Sequence, residues 1–172
     1  MTRSASSPAA VRPGAPQVPG MACSRGHHND PRARFCATCG VSMAQSSVLV
    51  VSGPRPSLGV LVFGDGTPVP LDRPVVVGRN ATAEARVRRG EVHGLTLGDR
   101  DGHLSRIHAE VLLDGWDVLL VDRASTNGTF VYDEGQRTWR RLPPQRPVPL
   151  APGTSIAFGR HAAVFQSPLR PR

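Results

Sequence analysis

The chain has 172 residues, with 21 arginines, no lysine, 13 acidic residues and a formal net charge of +8. Its 18 glycines and 17 prolines are too frequent for long helices, and no apolar run approaches the roughly 20 residues of a membrane-spanning helix. The missing lysine excludes Schiff-base and kinase-type lysine chemistry. The first twenty residues lack the apolar stretch of a secretion signal, so we expect a cytoplasmic protein without a membrane partner.

The positive charge is concentrated toward the N-terminus. Residues 1–57 hold six arginines and one acidic residue (+5), whereas residues 58–172 hold fifteen arginines and twelve acidic residues (+3). The arginines are spread along the chain and form no basic run of the kind that binds nucleic acid. Binding of nucleic acid through the basic N-terminal segment is therefore the alternative function and not the leading one.

Two segments with a low-complexity composition flank the cysteines, which all lie within residues 22–43. Residues 1–21 are mostly Ala, Pro, Ser and Gly, which predicts a disordered tail. Residues 44–57 are rich in Ser, Gly and Pro and are predicted to form a linker, in which residues 48–51 are compatible with a short extended stretch.

The cysteine segment has the spacing of a zinc-binding knuckle. Cys36 and Cys39 have the C-x2-C spacing that lets two thiolates meet one tetrahedral ion, and Cys23 and His27 form a C-x3-H pair. Together they predict a closed structural Zn²⁺ site, similar to short zinc-ribbon knuckles, with His28 as the alternative fourth ligand. The other interpretation is a disulfide or free thiols, but an odd cysteine count and a cytoplasmic setting disfavour it. Zinc can supply the roughly 10–16 kcal/mol that so short a segment cannot gain from apolar burial.

The large segment, residues 58–167, has the pattern of an all-β domain. Short apolar runs recur about every 8–12 residues with Gly, Asp or Asn between them, which predicts an antiparallel β-sandwich. Asp114-Gly115 marks a hairpin, and residues 168–172 form a short tail. The predicted strands are residues 58–63, 74–78, 94–97, 107–113, 117–122, 129–132, 138–142, 155–159 and 162–166.

Three short motifs lie at the ends of these strands or in the loops between them. They are Gly-Arg at residues 78–79, Ser-Arg-Ile-His at residues 105–108 and Ser-Thr-Asn-Gly at residues 125–128. In this order, the motifs resemble the forkhead-associated (FHA) family, with its Gly-Arg, Ser-x-x-His and Asn-Gly loop, and the resemblance runs from about residue 58 to residue 166. It implies an FHA/SMAD-like sandwich of bacterial type, whose loops at one end bind phosphothreonine peptides.

The residues present suit a phosphate ligand. Arg79 offers a planar, permanently charged fork for two phosphate oxygens, and the hydroxyls of Ser105 and Thr126 can donate to the remaining lone pairs. Arg106 can add charge to the phosphate or reach a peptide side chain. The resemblance implies that the Asn127 amide binds the main chain of the ligand.

Three further residues are predicted to support the site and not to touch the phosphate. Gly78 and Gly128 meet backbone requirements, for close approach or for positive φ. His108 is expected to be a buried residue that braces the loops by hydrogen bonds. The connection over residues 80–104 is longer than the simplest members of the family need, and we expect a mobile loop there.

These observations predict an adaptor that binds a threonine-phosphorylated protein, with a Ser/Thr protein kinase among its candidate partners. An enzyme is not expected, because the sequence has no G-x-x-x-x-G-K, H-E-x-x-H or G-x-S-x-G motif. The proposed metal site also offers no open coordination position for catalysis.

Overall fold

The computed structural model of the protein describes residues 13–45 and 49–167. Within these residues the regular secondary structure is mainly strand, with one four-residue α-helix, α1 (Ala85–Arg88), and two 3-10 turns, Met43–Gln45 and Ala81–Ala83. None of the helices in this part of the chain is long or apolar enough to cross a membrane. The strands are β1 (Gln17–Ala22), β2 (His28–Asn29), β3 (Val50–Pro54), β4 (Val60–Phe63), β5 (Pro68–Pro70), β6 (Val75–Gly78), β7 (His93–Thr96), β8 (Ala109–Asp114), β9 (Asp117–Asp122), β10 (Thr129–Asp133), β11 (Thr138–Arg141), β12 (Val148–Pro149), β13 (Ser155–Phe158) and β14 (His161–Gln166).

Eleven of the strands form a β-sandwich. One sheet has six strands in the order β11-β10-β13-β14-β4-β5, and the other has five in the order β12-β9-β8-β6-β7. All pairings in the two sheets are antiparallel except β6 with β7, which is parallel. The predicted all-β sandwich is therefore confirmed. The nine strands predicted from the sequence are all present, with ends shifted by at most two residues.

The sandwich core follows from alternation along the strands. In β4 and β13 every second residue is buried, so that Leu61 and Phe158 face inward while their neighbours are partly exposed. These side chains pack in one apolar cluster with Val77, Val111 and Leu120 of the five-stranded sheet. The two sheets are thus held together by a single apolar layer between them.

Strand β6 is buried on both faces, which explains its unbroken run of valines. Val75 and Val77 belong to the sandwich core, whereas Val76 packs on the outer side with Ala81 and Val92. These last two residues lie in the connection over residues 80–104. A mobile loop was expected in this connection. It carries a 3-10 turn, α1 and β7, and it covers the outer face of the sheet.

The N-terminal strands form a third sheet, in the order β2-β1-β3. The predicted tail, residues 1–21, and the predicted linker, residues 44–57, are therefore wrong in part, because β1 and β3 pair over five residues. The Gly and Pro content of the two segments does not predict strands, and the pairing of β1 with β3 joins residues that are far apart in the sequence. The rest of the predicted tail up to residue 12, and the predicted C-terminal tail, lie outside the described residues.

The third sheet lies against the hairpin formed by β8 and β9. The indole of Trp116 in the hairpin turn donates to the carbonyl of Pro19 at 2.8 Å, and the Arg55 guanidinium donates to the carbonyl of Leu113 at 3.1 Å. The side chain of Val18 is buried within the sandwich core, and the ring of His28 lies 5.2 Å from that of Trp116. The cysteine segment is thereby attached to the sandwich through β1 and β2.

Candidate functional site

The three motifs meet at one end of the sandwich, and backbone hydrogen bonds join the first two. The backbone N–H of Arg79 donates to the carbonyl of Ser105, and that of Asn80 donates to the carbonyl of Arg106, both at 3.1 Å. A β-carbon placed on Gly78 would lie 2.2 Å from the Arg106 carbonyl oxygen. Only glycine therefore allows the end of β6 to approach the second motif this closely.

Ser105 also joins the third motif. Its hydroxyl oxygen accepts a hydrogen bond from the backbone N–H of Thr126 at 3.1 Å. The hydroxyl hydrogen of Ser105 is left available to donate elsewhere. Ser105 is thus in contact with the backbones of both Arg79 and Thr126.

His108 bridges two of the loops from beneath. Its Nδ1 accepts from the backbone N–H of Ser105 at 3.2 Å, and its Nε2 donates to the carbonyl of Gly128 at 3.1 Å. An Nδ1 that accepts requires a neutral ring with its proton on Nε2. The side chain is fully buried, and this burial lowers the pKa of His108. The structure therefore places His108 as a brace away from solvent.

A buried carboxylate, which the sequence analysis did not single out, shapes the third motif. Asp122 accepts from the Ser125 hydroxyl at 2.5 Å, from the Ser125 backbone N–H at 3.1 Å and from the Thr129 hydroxyl at 2.7 Å. The Ser125 hydroxyl oxygen in turn accepts from the backbone N–H of Gly128 at 3.0 Å. An Asp at the end of a strand can accept hydrogen bonds from a Ser three residues later and so close a turn. This spacing of Asp122 and Ser125 is the sequence signal that could have identified the role of Asp122.

Asp99 fixes the chain just before the second motif in a similar way. Its two carboxylate oxygens accept from the backbone N–H groups of His103 at 2.7 Å and Leu104 at 2.9 Å. Partial burial raises the pKa of Asp99, but these N–H groups and the nearby charges of His103 and Arg79 outweigh it, so its pKa lies below the usual value. Asp99 therefore stays ionised at neutral pH.

The side chains that were predicted to touch the ligand are accessible. Arg79, Arg106, Thr126 and Asn127 are exposed, and Ser105 is half-buried. The Asn127 amide NH₂ donates to the carbonyl of His103 at 3.0 Å, and this bond orients the amide oxygen of Asn127. The second N–H of the same amide is available to another acceptor.

Arg79 and Arg106 differ in their charge environment from several other arginines. In residues 13–45 and 49–167, neither guanidinium lies within 4.0 Å of a carboxylate. By contrast, Arg86 and Arg123 share the buried carboxylate of Glu110. Two positive charges that form no close ion pair with the described residues lie at the same loop cluster, which makes this end of the sandwich attractive to an anion.

The predicted metal ligands form a second cluster, distant in sequence from the loops. The ligand atoms of Cys23, His27, Cys36 and Cys39 all lie within 4.8 Å of one another. The sulfur of Cys23 lies 3.4 Å from Nδ1 of His27 and 3.9 Å from the sulfur of Cys39, and the sulfur of Cys36 lies 3.6 Å from the same Nδ1. This cluster could hold a metal ion.

Backbone N–H groups surround the sulfurs of this cluster. The sulfur of Cys23 accepts from the N–H groups of Arg25 at 3.4 Å and His27 at 3.3 Å. Burial opposes the ionisation of Cys36, but the N–H groups of Cys39 and Thr38 favour its thiolate and lower its pKa to about 6. These contacts favour the charged sulfur of Cys36. For Cys39, the N–H of Val41 favours the thiolate, but burial and the hydrogen bonds with Cys36 and Cys23 raise its pKa.

The structure separates the two histidines that the sequence left as alternatives. Nε2 of His28 lies 3.1 Å from the carbonyl oxygen of Val18, and the ring packs against Trp116 on the sandwich side. His28 is absent from the group of possible ligands, whereas His27 belongs to it. His27 is thus the imidazole beside the three sulfurs.

Comparison with known proteins bears on the sandwich. The FHA domain family matches residues 75–159. Similar solved structures include one from work on phosphothreonine-dependent FHA domain interactions, 27% identical over 66% of this chain and 97% of the other, with a TM-score of 0.45. Another is the FHA domain of human APLF in complex with an XRCC1 bisphospho peptide, 24% identical over 63% of this chain and 98% of the other, with a TM-score of 0.49.

A third similar structure is EmbR of Mycobacterium tuberculosis in complex with a low-affinity phosphopeptide. It is 21% identical over 69% of this chain and 27% of the EmbR chain, with a TM-score of 0.50, and it shows that the fold is shared. A comparison with curated proteins gave no match. The matched residues begin at β6, end just after β13 and include all three loop motifs. The part of the sandwich that carries the three loop motifs is therefore similar to FHA domains.

Proposed function

We propose that this protein is a phosphothreonine-dependent binding module that acts as a non-enzymatic signalling adaptor. The observation that carries the proposal is the position of Ser105, whose carbonyl binds the backbone of Arg79 while its hydroxyl oxygen binds the backbone of Thr126. Three motifs that are separate in the sequence thus present their side chains at one place. The side chains predicted to touch the ligand are exposed, except for Ser105, which is half-buried.

The chemistry of these groups matches a phosphate monoester, which carries nearly two negative charges and three strong acceptor oxygens. In this proposal the Arg79 fork binds two of the oxygens, and the hydroxyls of Ser105 and Thr126 donate to the phosphate. Arg106 adds positive charge, and Asn127 binds the ligand main chain. Charge-assisted hydrogen bonds contribute about 1.5–3 kcal/mol each, so three or four of them, less the cost of ordering a peptide, give an affinity near 1 μM.

The support beneath these residues is part of the proposal. Gly78, His108 and Gly128 hold the loops through close approach and buried hydrogen bonds, so the donors are fixed before the ligand arrives. Fixed donors reduce the ordering cost that a flexible site would add on binding. In this proposal the partner is a threonine-phosphorylated protein of the cytoplasm, modified by a Ser/Thr protein kinase.

The test is fluorescence anisotropy with a degenerate phosphothreonine peptide library, compared with phosphoserine and unphosphorylated libraries. We expect binding near 1 μM for phosphothreonine, and a preference over phosphoserine of about 10-fold or more if one methyl group fills a pocket. Equal binding of phosphorylated and unphosphorylated libraries would contradict the proposal. Binding of nucleic acid that weakens steeply with salt would instead favour the alternative function.

We also propose that Cys23, His27, Cys36 and Cys39 bind a structural Zn²⁺ ion. In a tetrahedral site with Zn–S near 2.3 Å and Zn–N near 2.0–2.1 Å, sulfurs lie about 3.8 Å apart and a sulfur lies about 3.6 Å from a nitrogen. Three of the six separations, 3.4, 3.6 and 3.9 Å, agree with these values, and all six are within 4.8 Å. Four protein ligands close the site, so the ion would stabilise the knuckle and leave no position for catalysis.

Metal analysis of the purified protein tests the zinc proposal. We expect about one zinc per chain, reduced toward zero in a Cys39→Ser variant. The Cys39 position is suitable because its side chain is only partly buried and belongs to no part of the sandwich core. A zinc content near zero in the unaltered protein, purified without chelator, would contradict the assignment.

A further inference from the structure

Strand β11 lies at the free edge of the six-stranded sheet, and all four of its residues are exposed. Alternation along a strand places Trp139 and Arg141 on one face and Thr138 and Arg140 on the other. On the first face, Arg141 is opposite Phe130 of β10, and Trp139 is opposite Tyr132.

The side chain of Arg141 reaches from this edge onto the Ser-Thr-Asn-Gly loop. A β-carbon placed on Gly128 would lie 2.4 Å from Nε of Arg141 and 2.9 Å from its Cζ. Gly128 has φ of +85°, a conformation that also favours glycine. The guanidinium therefore packs directly on the Gly128 α-carbon, one residue from Asn127.

Arg141 is a positive charge that the described residues do not neutralise. Its side chain is exposed, and no carboxylate of residues 13–45 or 49–167 lies within 4.0 Å of it. It lies against the Ser-Thr-Asn-Gly loop, which Ser105 links to the backbone of Arg79, so it adds a positive charge at this end of the sandwich. A planar guanidinium held against a backbone is also suited to bind a carboxylate or phosphate through two hydrogen bonds.

Trp139 supplies an apolar surface on the same strand face. It is 45% exposed, and its ring lies 5.4 Å from that of Tyr132 in an edge-to-face arrangement. Two residues along a strand are about 7 Å apart, so the indole and the guanidinium are within reach of one bound side chain and its neighbour. An exposed tryptophan beside an exposed arginine is a combination enriched at binding surfaces.

We propose that Arg141, flanked by Trp139, forms a second anion-binding subsite that takes a negatively charged side chain of the same phosphothreonine ligand. This inference rests on the proposed function and extends it to the sequence preference of the site. The ligand group is a carboxylate or a second phosphate, since both offer the pair of oxygens that a guanidinium binds. The subsite thereby selects partners in which an acidic or phosphorylated residue lies near the phosphothreonine.

The experiment scans the residues on both sides of the phosphothreonine in a fixed peptide, placing Gln, Glu or phosphoserine at each position. Affinities are measured for the unaltered protein, Arg141→Gln and the matched control Arg140→Gln, which removes a neighbouring charge from the opposite strand face. All three proteins are first compared by thermal unfolding, and because both arginines are exposed we expect equal stability.

We expect Glu or phosphoserine to bind about five- to tenfold more tightly than Gln at one position or two neighbouring positions. Arg141→Gln should remove this preference and keep the dependence on phosphothreonine, whereas Arg140→Gln should keep both. A larger gain for phosphoserine than for Glu would identify a second phosphate as the ligand group, and the reverse order would identify a carboxylate. A preference that survives in Arg141→Gln, or no preference at any position, overturns the inference while leaving the proposed function intact. Failure to bind any phosphothreonine peptide overturns both.

Discussion

Replacing Gly78 with alanine is expected to disturb the fold and the site together. The new β-carbon would lie 2.2 Å from the Arg106 carbonyl oxygen and 3.0 Å from that of Ser105. Carbon and oxygen atoms in contact lie more than about 3.2 Å apart, so the backbone must move by about 1 Å. The neighbour is a backbone group, and it cannot turn away as a flexible side chain would.

The cost follows from what the moving backbone carries. Two hydrogen bonds join these segments, from Arg79 to Ser105 and from Asn80 to Arg106. Each contributes about 1 kcal/mol, and overpacking a tight contact costs about 1–3 kcal/mol more. We therefore expect Gly78→Ala to lower the free energy of unfolding by about 3–5 kcal/mol. Because Ser105 would be displaced, peptide affinity should also fall at least tenfold.

Urea denaturation followed by circular dichroism measures the first effect, and anisotropy measures the second. The matched control is Gly98→Ala, since a β-carbon at Gly98 would meet no atom within 4 Å and its φ is not positive. The control should stay within about 0.5 kcal/mol of the unaltered protein. If Gly78→Ala were equally neutral in stability and binding, the close approach of β6 to the second motif would not be a requirement of this site.

Three other predictions test the supports of the fold and site. The ring of His108 should titrate below its ordinary pKa of about 6.5 in an NMR titration and should carry its proton on Nε2, because burial disfavours the charged form. The stability that the neutral ring contributes is present above pH 6.5 and is lost as the pH falls toward the folded pKa. A pKa above 6.5 would contradict the assignment. Asp122→Ala should cost about 2–4 kcal/mol in urea denaturation, because the hydroxyls of Ser125 and Thr129 lose their acceptor; a loss below 1 kcal/mol would show that water replaces the carboxylate. Removal of zinc by a chelator should lower the melting temperature of the whole protein by several degrees, since β1 places Val18 in the sandwich core. An unchanged melting temperature would mean that the knuckle and the sandwich unfold independently.

Local patterns in the sequence predict most of the sandwich. The nine predicted strands are present because alternation, or the fully apolar run of β6, is a property of neighbouring residues. Of the strands that were missed, β1, β3, β5 and β12 contain proline, and β2 has only two residues. Strands β5 (Pro68–Pro70) and β12 (Val148–Pro149) are short edge strands, where proline is tolerated because one side of the backbone need not pair.

The meeting of the three loops at one end of the sandwich could be predicted to the same extent. Motifs made of adjacent residues, such as Gly78-Arg79, identify the loops without a structure, and the structure brings the three loops together. The role of Asp122 and the packing of Arg141 on Gly128 depend on contacts between separate strands, and local pattern does not encode them. His27 and His28 are adjacent and chemically equal in the sequence, so only the packing of His28 against Trp116 separates them.

Calorimetric titration of one selected phosphothreonine peptide into the unaltered protein, Arg79→Ala and Arg146→Ala tests whether the Arg79 guanidinium binds the phosphate. Arg146 is an exposed arginine outside the three motifs, and it controls for the loss of one positive charge. We predict binding near 1 μM for the unaltered protein and for Arg146→Ala. Arg79→Ala should weaken binding by about 30- to 150-fold, which corresponds to about 2–3 kcal/mol. Equal affinity of Arg79→Ala and the unaltered protein would contradict the account, because the guanidinium would then take no part in holding the phosphate.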